Sequence, residues 1–149
     1  DIIILYKKTY NMASENEKFY NMFNDTLSNF IKDLINVFPN DNDFKLFKTS
    51  SNIVKMANYK KPLELFNLGL NDEFKKNIRE KNEDFFLNND YSDVLNNENL
   101  QKEGEVNNDI NNKLILKLKN YWKELDDENK ETVWKYFTIL LKLCDKIYQ

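Results

Sequence analysis

Pro39, Pro62, Gly69 and Gly104 are all the proline and glycine in a chain of 149 residues. Strands must be joined by turns. Turns draw on glycine for positive φ and on proline for a preset φ. Two of each cannot punctuate an all-β domain of this length, so the chain is expected to be all-α. The 25 asparagines can serve turns and helix caps instead. At this length one domain is expected, able to bury roughly 70% of the surface of its unfolded chain.

Hydrophobic spacing supports helix. In "SENEKFYNMFNDTLSNFIKDLINVFP" the residues Phe19, Phe23, Leu27, Phe30, Leu34 and Phe38 recur at steps of three and four, with Ile31 and Val37 widening the stripe. Ser14 with Glu17 spells a capping box, and Pro39 stops the run. Residues 1–11, "DIIILYKKTYN", precede this cap and are read as an irregular arm or upstream translation, since Met12 has the look of a start. The rival reading is an edge strand, or a strand lent to a partner.

A second helix is predicted from Asp41 or Asp43, carrying Phe44, Phe47, Val54 and Ala57. Pro62 suits a first helical turn, and Gly69 divides the following stripe into two helices. Residues 87–109 are rich in Asn, Asp and Glu and are read as a flexible acidic loop. In "DINNKLILKLKNYWKEL" the residues Ile110, Leu114, Leu118, Tyr121 and Leu125 share a helical face, while "LILKLK" alternates as a strand would. Helix is favoured because no partner strand stands nearby. Asp126 or Asp127 then caps a last helix carrying Val133, Phe137, Leu140, Leu141, Cys144 and Tyr148. The expected architecture is a single irregular bundle of five or six helices over residues 12–149, ending in a helical hairpin.

Composition excludes several chemistries. Histidine is absent, which removes Ser-His-Asp and Cys-His nucleophile pairs and histidine metal sites. Cys144 is the single cysteine, so no internal disulfide forms and a reducing compartment is expected. It lies on an apolar helix face and reads as an inert buried thiol. No glycine-rich phosphate loop is present. The stretches 41–52 and 88–99 resemble calcium loops only faintly, lacking the central glycine and the final glutamate. Glu83 with Asp84 could hold Mg²⁺ or act as acid and base, but reads better as a helix start. No cofactor and no metal are expected. No run approaches a membrane span of ~20 apolar residues. The N-terminus lacks the basic region of a signal peptide, so secretion is not expected.

Two candidate surfaces remain. Trp122 and Trp134 flank a polar corner, "KELDDENKETV", and either both enter the seam of the hairpin or one of them, with Tyr136, is exposed as an anchor for a protein partner. Lys113, Lys117, Lys119 and Lys123, interleaved with Tyr121 and Trp122, could instead track a phosphate backbone. Glu124, Asp126, Asp127 and Glu128 offset that field, the only arginine is Arg79, and the net charge is −3.

"NEDFFL" at 82–87 and "YWKELDDENKETVWKYFTILLKL" at 121–143 resemble an uncharacterised family of proteins from giant nucleocytoplasmic DNA viruses. The resemblance covers the C-terminal half and is carried by Asp84, Phe85, Phe86, Trp122, Trp134, Lys135, Tyr136 and Phe137. It implies no activity. It implies a virion or an infected host cytoplasm as the setting. The expected function is a non-enzymatic helical interaction module, a virion component or small adaptor that binds a protein partner or itself. The alternative is a nucleic-acid-associated factor using the lysine face.

Overall fold

The computed structural model of the chain describes residues 1–88 and 110–148. Among these residues the fold is all-α, with seven α-helices and no strand. They are α1 (Ile2–Val37), α2 (Asn42–Ala57), α3 (Lys61–Gly69), α4 (Asp72–Arg79), α5 (Glu83–Asn88), α6 (Ile110–Tyr121) and α7 (Asp127–Tyr148), with a 3₁₀ turn at Trp122–Glu124. Six helices were the upper expectation. The seventh is the short α5, which Asn82 starts by accepting a hydrogen bond from the Phe85 N–H at 3.3 Å.

Most helix ends fall where local chemistry puts them. Phe38 caps α1 in a non-helical conformation (φ −122°, ψ 66°), because the proline that follows disfavours the helical region for it. The Asp41 carboxylate caps α2, accepting from the Asp43 N–H at 2.9 Å. Pro62 stands in the first turn of α3, which ends at Gly69. Asn71 caps α4 through the Phe74 N–H at 2.8 Å, and Asp126 caps α7 through the Asn129 N–H at 2.8 Å. Lys81, just beyond α4, takes a left-handed φ of 52° and turns the chain into α5.

Residues 110–119 are helix, which resolves the helix-or-strand ambiguity. Leu114, Ile115 and Leu118 enter the core, so "LILKLK" obeys the helical period. Residues 89–109, most of the expected acidic loop, lie outside the described residues. Residues 87 and 88 close α5 instead.

The N-terminus departs from the expectation of an irregular arm over 1–11: α1 starts at Ile2, and the Asp1 side chain caps it by accepting from the Ile3 N–H at 3.0 Å. Ser14 and Glu17 sit inside the helix, so the capping box does not operate. No glycine or proline occurs before Pro39. Extending an existing helix costs far less than nucleating one, and the chain runs on helically from the packed half of α1.

One hydrophobic core draws on all seven helices. α1 contributes Phe23, Leu27, Phe30, Ile31 and Leu34, while Val37 remains exposed. The longest seam runs between α1 and α7. α6 lies against α2 and α3, and α4 against α7. The last two helices therefore share a corner rather than the long seam of a hairpin. Fully burying each of these large side chains contributes roughly 1.5–3 kcal/mol.

Candidate functional site

The buried line of α1 runs through Tyr20, Asn24, Leu27, Ile31 and Leu34 at helical spacing. Continued backward at the same spacing, it passes Glu17, Ala13, Tyr10, Tyr6 and Ile3. The apolar stripe thus carries on beyond the bundle. No described residue covers it there: every residue from Asp1 to Lys18 is exposed. This is an arm about 27 Å long. Its large apolar side chains, Ile2, Ile3, Ile4, Leu5, Tyr6, Tyr10 and Met12, range from 57% to 84% exposed. Single exposed apolar residues are ordinary on a protein surface, whereas a run of five, Ile2 to Tyr6, on the helix that carries a core stripe is not.

The base of the arm is built. The Asn24 amide, buried in α1, donates to the backbone carbonyl of Tyr59 at 2.8 Å and so ties the α2–α3 turn to α1. This sets the Tyr59 ring edge-to-face against Tyr20, with centroids 5.9 Å apart. The Lys60 ammonium lies 5.7 Å from the Tyr20 ring centre and 5.8 Å from that of Tyr59. Between this ledge and the arm is a cleft of about 350 Å³, whose lining includes Tyr10, Ala13, Glu17, Tyr20, Tyr59 and Lys60. Burial, then the negative charge of Glu64, pushes the Tyr20 hydroxyl above its ordinary value, so it stays a neutral hydroxyl. The cleft is lined more by polar than by apolar surface, with Ser14 and Asn16 beside the Glu17 carboxylate and the Lys60 ammonium.

Comparison of the chain with family models, with curated proteins and with solved structures returns no match. The geometry therefore has to carry the functional reading.

The side chains singled out from the sequence lie elsewhere. Trp122 and Trp134 are both buried, so neither is an exposed anchor. Their rings meet at 5.1 Å, and Phe86 packs on both at 5.1 and 5.8 Å. Phe137 joins the cluster, 6.5 Å from Phe86. Tyr136 is half-buried, stacks on Phe30 at 4.7 Å and donates its hydroxyl to Asp33. Most of the aromatic residues that carry the viral resemblance thus converge on one region of core, which explains their spacing by packing.

The four lysines do not form one basic face. Lys117 is committed to carboxylates, 2.9 Å from Asp41 and 2.8 Å from Asp43. Hydrogen bonds to Asp43 and Asp41 raise its ammonium above the ordinary value. Lys113 shares with Lys117 and Asp43 a groove of about 420 Å³ between α2 and α6. Lys119, two residues from Lys117, belongs to a different side of the helix. Lys123 is exposed on the 3₁₀ turn.

Asp41, with its neighbour Asp43, was not anticipated as a hub. Besides capping α2, Asp41 accepts the Tyr121 hydroxyl at 2.5 Å. Desolvation pushes its carboxyl up, but hydrogen bonds from Tyr121, Lys117 and the Asp43 backbone outweigh that and hold it below the ordinary value. The stretch 41–52 is thus the start of a helix and not a calcium loop. No group of three or more potential ligand side chains suited to a metal occurs among the described residues. No helix among them is long and apolar enough to cross a membrane. The signal for the arm was present in the sequence: an apolar "IIILY" run with no breaker between it and the first core helix.

Proposed function

We propose that the chain is a non-enzymatic protein-interaction module that engages its partner through the exposed arm of α1 and the cleft at its base. The observation that carries this reading is the continuation of the core stripe into an arm whose residues 1–18 are all exposed among the described residues. The arm is the end of α1 with no packing of its own among the described residues, so a partner that covers the stripe also stabilises it. The lack of histidine and the burial of Cys144 leave the cleft without an imidazole base or a thiol nucleophile. The resemblance of the C-terminal half suggests that the partner is met in an infected cell or a virion. The nucleic-acid alternative is weakened by the engagement of Lys117 with Asp41 and Asp43.

The test uses the full chain with a photo-crosslinking residue at Tyr6 and, as a control, at the exposed Lys142. Both are exposed to an extract of the native source. A protein adduct specific to position 6 that survives nuclease treatment is expected. Equal labelling at both positions, or none, overturns the proposal. Adducts that vanish with nuclease return the nucleic-acid reading to the front.

A further inference from the structure

The groove between α2 and α6 shares no lining residue with the cleft at the base of the arm. Its volume of about 420 Å³ falls within the range of small-molecule sites, roughly 300–1,000 Å³. Leu46, Phe47 and Leu116 give it apolar walls. Leu46 is 61% exposed, so a body laid in the groove removes apolar surface from water. The two helices run antiparallel: Asp41 and Asp43, at the start of α2, meet Tyr121 and Lys117, near the end of α6. One end of the groove thus holds the Lys117–Asp43 pair, whose charges are already matched. Ser50, two turns along α2, and Lys113, one turn back along α6, mark the other end, about 10 Å away. The Lys113 ammonium makes no ion pair and the Ser50 hydroxyl no hydrogen bond among the described residues.

We infer that this groove is a binding site for a small amphipathic carboxylate, its apolar body lying along Leu46, Phe47 and Leu116 and its head held by the Lys113 ammonium and the Ser50 hydroxyl. One unmatched cation suits one negative charge, and the walls suit an apolar body. Lys117 does not compete for the head, because Asp41 and Asp43 already hold it. The Asp43 carboxylate repels an anion at its own end, so the charges of the groove fix which way round the ligand lies. A hydrogen bond from an ammonium to a carboxylate is roughly twice as strong as one between neutral groups, so a neutral molecule with the same body binds less well. The inference is independent of the interaction reading of the arm.

The experiment is an NMR titration of the full chain with sodium octanoate below its micellar range, with octanol as the neutral probe of the same length. Saturable shifts are expected in the backbone amides of Phe47, Ser50 and Leu116. Octanoate is expected to bind about tenfold more tightly than octanol. Lys113→Gln is expected to remove that advantage and leave the affinity for octanol unchanged. Leu46→Asp is expected to weaken both probes. Lys113 and Leu46 are exposed, so neither variant touches the core, and circular dichroism checks that each retains its fold. Shifts that do not saturate overturn the inference, as do shifts confined to the arm or its cleft. Equal affinity for the two probes, or octanoate binding indifferent to Lys113→Gln, also overturns it. The arm is tested separately by the adduct at position 6, so either reading can fail while the other stands.

Discussion

Trp122 donates its indole N–H to the Glu83 carboxylate at 2.8 Å, joining the corner before α7 to the start of α5 across 39 residues of sequence. Its ring is fully buried against Trp134 and Phe86. Trp122→Ala is expected to cost about 3–5 kcal/mol in chemical denaturation, from the cavity and the lost aromatic contacts. Trp122→Phe keeps a ring and loses the hydrogen bond, and is expected to cost less. If Trp122→Ala unfolds with the wild-type midpoint, the cluster does not hold the corner to α5.

Asp41 joins α2 to α6 by way of Tyr121 and Lys117. Its folded-state carboxyl titrates below the ordinary value, so the stability it contributes is present above the unfolded value of about 3.9 and is lost as pH falls below that. Asp41→Asn, which can still cap α2, is expected to flatten the stability curve between pH 5 and pH 2 (approximate bounds). Asp41→Ala is expected to cost about 2–3 kcal/mol at neutral pH, from the lost cap and the lost charged hydrogen bonds. Urea titrations at stepped pH decide it: an unchanged acid limb in Asp41→Asn removes the carboxylate from the account.

Burial pushes the Cys144 thiol up to about 12, and the residue is enclosed in the core. Labelling by an aromatic disulfide reagent is expected to be negligible in the native protein at neutral pH, and to appear in step with global unfolding. Rapid labelling without denaturant would show that α7 opens locally.

The arm stands outside the core, so polar substitutions there have nothing in the bundle to disturb. Tyr6→Glu is expected to change the unfolding free energy of the bundle by less than about 0.5 kcal/mol in dilute, monomeric protein. Phe30→Ala, at a ring packed between Tyr136 and Phe137, is expected to cost about 3–5 kcal/mol. Thermal unfolding of the two variants checks the contrast. A large loss from Tyr6→Glu would mean that the arm folds back on the body.

Where a residue's fate depends on its near neighbours in sequence, reading the chain succeeded. Scarce glycine and proline meant helix. The stripe from Phe23 to Leu34 meant a core face, and Asp41, Pro62, Gly69 and Asp126 mark helix boundaries as their chemistry requires. These follow from backbone propensity, capping and the period of the helix, all of which act within a few residues. The capping box at Ser14 misled for the same reason: it is a local signal, and a helix already propagating from the packed side overrode it.

Contact and exposure were decided only in three dimensions. Lys117 lies 74 residues from Asp43 in sequence, and no local rule distinguishes a lysine held by two carboxylates from one free to meet phosphate. Trp122, Trp134 and Phe86 become a single cluster only when α5, α7 and the 3₁₀ turn are brought together. The arm is the clearest case. Its apolar stripe has the same period as the stripe that is buried farther along α1, and one differs from the other in having no neighbour among the described residues. Burial belongs to the space around a side chain and not to the side chain itself, and that space is set by where the other helices end.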